Sequence, residues 1–116
     1  MEVVCEIMKL KPENVKDYID LHDNTWPELV KALRESGFLE EYIYILDSLV
    51  MVVMKCENFE DARSKLAATD IFKKWTSLVR KMLTEDENFF HIKDVLLDLK
   101  PIWRLDNFDE KGVVKF

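Results

Sequence analysis

The chain has 116 residues, with 23 acidic and 17 basic side chains giving a formal charge of −6, and 48% of its residues are hydrophobic and 34% charged. That length suits one domain around one core, and the balance is that of a globular chain rather than a disordered or collagen-like one. Without a basic patch the negative charge repels a phosphate backbone, and no apolar run reaches bilayer length, so neither nucleic acid nor a membrane is an expected partner.

The opening run Val3-Val4-Cys5-Glu6-Ile7-Met8 is apolar and β-branched and reads as a strand. Its start has no basic region followed by a long apolar stretch, so no signal peptide is expected. Lys11-Pro12 suits a helix start, because proline presets φ and lacks only an amide that a first turn leaves unpaired. Val15, Tyr18, Ile19 and His22 then recur at helical spacing and adjoin one face, so His22 looks inward or sideways. Pro27 interrupts this pattern and predicts a kink or restart near Trp26. Thr25 and Glu28 have capping-box spacing, predicting that Thr25 caps a second helical piece through Leu29, Val30 and Leu33 to Gly37.

From Glu41 to Leu46 the chain alternates, with Tyr42, Tyr44 and Leu46 on one face and Ile43 and Ile45 on the other. Asp47-Ser48 offers a turn into Leu49–Met54, whose continuous apolar character predicts a strand covered on both faces, by helices and by a partner subunit. Asn58 can cap a helix carrying Phe59, Ala62, Leu66 and Ala67, and Asp70 one carrying Ile71, Trp75, Leu78, Val79 and Met82. The stretch His91–Leu99 is ambiguous between strand and helix, Pro101–Leu105 reads as a last strand, and residues 107–116 read as a loosely ordered tail to a single domain of residues 1–106. The order β-α-β-β-α-β predicts a ferredoxin-like α+β fold, with helices on one face of an antiparallel sheet. So short a chain favours a homodimer, which buries surface that one small domain leaves exposed.

Cys5 and Cys56 lie in strand-like runs without disulfide or zinc spacing and read as reduced thiols in a cytoplasmic protein. His91 has no second histidine at ligand spacing, and Gly37 and Gly112 make no phosphate loop, so no metal and no cofactor is expected. His22 is the informative titratable group, since an unperturbed imidazole exchanges protons near a pH of about 6.5. Tyr18 lies one turn before it and Trp26 one turn after; Tyr42 and Trp75 lie on neighbouring elements. Aromatic rings can cover the C–H faces of a sugar while phenol and imidazole groups bond its hydroxyls, although such a stripe also serves as core.

Met8-Lys9-Leu10-Lys11-Pro12, then Tyr18, His22 and Trp26-Pro27-Glu28-Leu29, resemble the L-rhamnose mutarotase family in type, order and spacing. Glu41–Asp47 resembles its second strand and Ala68–Trp75 the start of its final helix. The resemblance implies a dimeric α+β barrel that exchanges the anomers of a monosaccharide, a 6-deoxy-L-hexose, without a cofactor. It implies His22 as the acid and Tyr18, Tyr42 and Trp75 as sugar contacts. Trp26, read first as a wedge beside Pro27, and Thr76, which stands where many members carry a second tryptophan, are expected at the pocket wall. The stretch 86–100 is longer than the family pattern. Tyr18–His22 is also similar to relatives assigned to L-fucose, and two further readings stand beside a mutarotase: a cofactor-free oxygenase and a non-catalytic ligand-binding module of the same fold.

Overall fold

A computed structural model of the chain describes residues 1–84 and 97–114. Strand β1 (Glu2–Lys9) leads through a 3-10 turn at Pro12–Asn14 into α1 (Val15–Asp23) and then α2 (Pro27–Ser36). Next come β2 (Phe38–Leu46), β3 (Leu49–Cys56), α3 (Phe59–Ala67), α4 (Asp70–Arg80) and β4 (Leu97–Leu99). The strands form one antiparallel sheet in the order β2-β3-β1-β4, which with paired helices in each crossover is the ferredoxin-like arrangement.

Pro27 separates α1 from α2 by holding Trp26 extended, at φ −64° and ψ 128°, so that Trp26 takes the N-cap position and proline the first turn. The expected Thr25 cap is therefore corrected: the Thr25 hydroxyl donates to the His22 carbonyl at the end of α1 instead. Gly37 ends α2 in the left-handed region at φ 112°, its amide bonding back to the last turn. Asn58 caps α3 by accepting from the Asp61 amide. At α4 the cap is Thr69 rather than Asp70, since the Thr69 hydroxyl oxygen accepts from the Phe72 amide at 3.3 Å and Asp70 is already helical.

The two-residue hairpin at Asp47-Ser48, with Asp47 at φ 54°, sets the β2–β3 register. One face of β3, made of Val50, Val52, Met54 and Cys56, is buried against the helices with Val4, Met8, Phe38, Phe59 and Leu66. The other face, Leu49, Met51, Val53 and Lys55, is only half-buried, so within one chain the strand is not covered on both sides as its apolar run suggested. After α4 the chain is pinned to the end of β1, where the Lys11 amide bonds to the Met82 carbonyl and the Thr84 amide to the Lys9 carbonyl.

The last strand is Leu97–Leu99, not Pro101–Leu105. Pro101 has no amide to donate, and the segment after it leaves Ile102 and Trp103 in solvent while Arg104 reaches the Met1 carbonyl and Asp106. Through Val114 the tail folds back on itself: Asp109 accepts from the amides of Lys111 and Val113, and Trp103 packs on Phe108 at 5.5 Å. His91 and most of the long 86–100 stretch lie outside the described residues.

Candidate active site

Between the helices and the concave face of the sheet lies an open cavity of about 680 Å³. Tyr18 and His22 reach it from α1, Thr25 from the α1–α2 break, and Trp75 and Thr76 from α4. The four-residue step between Tyr18 and His22 stacks them one turn apart, with ring centres 4.1 Å apart. Trp75 closes the group, meeting His22 edge-on at 5.0 Å and Trp26 edge-on at 5.1 Å. Trp26 thus supports Trp75 from behind, which fits a wedge beside Pro27. The Thr76 hydroxyl is turned onto its own helix, 3.0 Å from the Phe72 carbonyl and 3.1 Å from that of Lys73.

His22 Nδ1 lies 2.8 Å from the Tyr18 carbonyl oxygen. A carbonyl can only accept, so Nδ1 carries a proton and, in the neutral ring, Nε2 is the basic nitrogen. Burial lowers the imidazole pKa from its ordinary 6.5, opposed by that carbonyl and by Asp23. The resting ring is therefore neutral at pH 7 and poised to accept a proton. Tyr18 shifts the other way: burial, then the nearby charges of Glu41 and Glu6, hold its phenol well above the ordinary range, so it stays protonated and serves as a hydrogen-bonding group.

Tyr42 is not brought to this cavity. A β-bulge between Phe38 and Glu40 shifts the alternation of β2, so that Phe38, Glu41 and Ile43 face the cavity while Tyr42 points to the opposite side, 52% exposed, donating to Glu40 at 3.2 Å. The expectation that Tyr42 contacts a sugar in its own chain's cavity is corrected on that ground.

The sheet supplies groups that the sequence reading missed. Glu6 lies on the inward side of β1, between Val4 and Met8, and its pKa is pushed up to about 7. Burial contributes most, then the charge of Asp98 and a hydrogen bond with it; Arg63 opposes and Glu41 adds to the rise. Asp98 is the cross-strand partner of Glu6 and is held by Arg63 at 2.6 Å. Glu41 can be reached by water through the cavity mouth, yet enough protein surrounds it that burial raises its pKa as well. The signal was legible in principle, because Val4, Glu6 and Met8 alternate on one face of a strand whose inward positions are otherwise apolar. Among the described residues no group of three His, Cys, Asp or Glu side chains could hold a metal ion, and no helix is long and apolar enough to cross a membrane.

Comparison with known proteins agrees with this architecture. The L-rhamnose mutarotase family profile matches residues 3–105. L-rhamnose mutarotase of Listeria monocytogenes serotype 4b (strain F2365) is 33% identical over 107 residues, spanning 90% of this chain and 99% of that protein. The same-named protein of Bacillus subtilis (strain 168) is 27% identical over 109 residues, spanning 91% and 100%. Among solved structures, L-rhamnose mutarotase from Formosa agariphila superposes with a TM-score of 0.71 at 23% identity, covering 90% of this chain and 99% of that one. An antibiotic biosynthesis monooxygenase shares the fold at a TM-score of 0.61 and 16% identity, covering 88% and 99%. The chain belongs to the L-rhamnose mutarotase family and is a sugar mutarotase, an enzyme of the isomerase class.

Proposed function

We propose that this chain interconverts the α and β anomers of L-rhamnose, with His22 transferring the proton and Tyr18 and Trp75 holding the sugar. The observation that carries the reading is the imidazole at the cavity wall, fixed by the Tyr18 carbonyl at 2.8 Å and packed by Tyr18 and Trp75. Exchange of anomers requires the ring oxygen to gain a proton and the anomeric hydroxyl to lose one, and a neutral imidazole with a free Nε2 lone pair suits the second task. On closure the imidazolium returns that proton, so the acid role implied by the resemblance falls to His22 in the closing step. Trp75 offers a face for sugar C–H groups, and Tyr18 a phenol for a hydroxyl. The apolar floor of Met8, Ile43 and Val52 suits the methyl of a 6-deoxy sugar better than a hydroxymethyl, which burial there would desolvate.

The names of the relatives favour L-rhamnose over L-fucose, and nothing in the cavity favours an oxygenase substrate over a sugar. The working form we propose is a homodimer joined through the outer sheet face, where Tyr42, Tyr44 and Leu46 stand exposed. The free thiols of Cys5 and Cys56 fit a cytoplasmic protein.

Magnetisation-transfer NMR across L-rhamnose, L-fucose and simple aldohexoses tests the assignment. Fastest exchange is expected with L-rhamnose, falling about 10²-fold or more in His22→Gln, in line with the contribution of a positioned proton-transfer group. Undiminished exchange in the variant removes His22 from the mechanism. Absence of acceleration with every sugar, at high protein concentration, overturns the mutarotase reading of this cavity.

A further inference from the structure

The reaction needs two proton-transferring groups, and His22 is one. On the sheet side of the same cavity stands Glu6, paired across β1 and β4 with Asp98. The cation of this cluster, Arg63 on α3, is directed at Asp98 at 2.6 Å, so among the described residues the near neighbour of Glu6 is a carboxyl. Burial beside a second carboxyl keeps the proton on Glu6 to a higher pH than an ordinary carboxyl holds it. The groups acting on Glu6 are Asp98 from β4, Arg63 from α3 and Glu41 from β2, and Glu6 in turn acts on Tyr18 of α1. Asp98 and Glu41 favour keeping the proton on Glu6, and Arg63 is the one opposing charge among them.

We infer that Glu6, standing beside Asp98 at the sheet side of the cavity, is the second catalytic residue, acting across the sugar ring from His22. This rests on the mutarotase reading of the cavity. In ring opening, His22 Nε2 takes the proton of the anomeric O1 while Glu6 delivers its proton to the ring oxygen O5. The C1–O5 bond breaks with its electron pair going to O5, and C1–O1 becomes a carbonyl. After a half-turn about C1–C2, O5 attacks the other carbonyl face. The O5 proton returns to the Glu6 carboxylate, and O1 regains a proton from the His22 imidazolium. Protons and electrons balance, nothing is oxidised, and both side chains end as they began.

The pairing has a pH signature. Activity needs neutral His22 and protonated Glu6, so the rate rises with pH as His22 loses its proton below its ordinary value and falls as Glu6 loses its proton near 7. Anomer exchange of L-rhamnose, measured by magnetisation-transfer NMR from pH 5 to 9, tests this with wild type, Glu6→Gln and Asp98→Asn. Glu6→Gln keeps the size and a hydrogen bond to Asp98 but not the transferable proton, and its rate is expected to drop about 10²-fold with the alkaline limb gone. Asp98→Asn removes the neighbouring charge, leaves Arg63 free to act on Glu6, and is expected to shift the alkaline limb to lower pH. Acceleration by wild type with an equal rate and unmoved limb in both variants overturns the role of Glu6 alone. No acceleration by wild type at any pH overturns the mutarotase reading and the role of Glu6 with it.

Discussion

A carboxyl that keeps its proton to about pH 7 costs the fold something once it ionises. In the unfolded chain Glu6 loses its proton near the ordinary 4.5, whereas in the folded chain it does so near 7. Between those values the folded state binds more protons, so stability falls as pH rises through the window and stays lower above it. Glu6→Gln lacks this penalty. The variant is expected to melt several degrees above wild type at pH 8, a difference on the order of 2 kcal/mol, and to match it near pH 4. Thermal unfolding followed by circular dichroism at both pH values checks this; equal melting temperatures at pH 8 contradict the burial and pairing described for Glu6. A residue that weakens the fold while holding a transferable proton is one whose local rule was broken at a site. His22 was visible in the sequence because imidazole draws attention wherever it stands. Glu6 was marked only by its place among inward apolar residues, and its chemical meaning depends on Asp98, which is 92 residues away in the chain and meets it only through the pairing of β1 with β4.

Local chemistry explains which elements could be read and where their ends were misplaced. Helical spacing of Tyr18 and His22, the break at Pro27, the stop at Gly37 and the turn at Asp47-Ser48 are all set within a few residues, and the structure has each of them. The caps were harder, since neighbouring Thr and Asp residues compete for the same role and only the backbone angle decides. Thr69 wins over Asp70 because it is the extended residue, φ −81° and ψ 141°, from which a side-chain oxygen can reach the Phe72 amide. Thr69→Ala is accordingly expected to lower stability by about 1 kcal/mol, and Asp70→Ala by a few tenths through loss of its favourable charge in the first turn. Chemical denaturation of the two variants checks the order; a larger loss in Asp70→Ala would return the cap to that residue. Because α4 carries Trp75, fraying at its start should also reduce sugar exchange more than the stability change alone accounts for. The bulge in β2 had no such local mark. Both faces of β2 are rich in apolar and aromatic residues, so alternation alone does not choose between Tyr42 and Ile43 for the inward side.

At the scale of the molecule, the two sides of the sheet are covered unequally by the described residues. The helices bury Val50, Val52, Met54 and Cys56, while the outer side of β2 leaves Tyr42 at 52%, Tyr44 at 56% and Leu46 at 64% exposure beside half-buried Met51 and Val53. The homodimer proposed above would cover this apolar face, a second copy meeting it with the same face across a two-fold axis. Such a dimer would also account for the apolar character of β3, whose sequence reads as buried on both faces although its outer residues are half-buried in one chain. Wild type is expected to sediment as a dimer at micromolar concentration. Tyr44→Lys places two like charges near one another across the axis while leaving the cavity side of the sheet intact, so it is expected to shift the chain to monomer without unfolding it. Analytical ultracentrifugation with circular dichroism on both proteins separates the outcomes. A wild-type monomer at tens of micromolar would show that this face is tolerated in water. A Tyr44→Lys dimer would place the interface elsewhere, and the exposed apolar segment Ile102–Leu105 would then be the next surface to substitute.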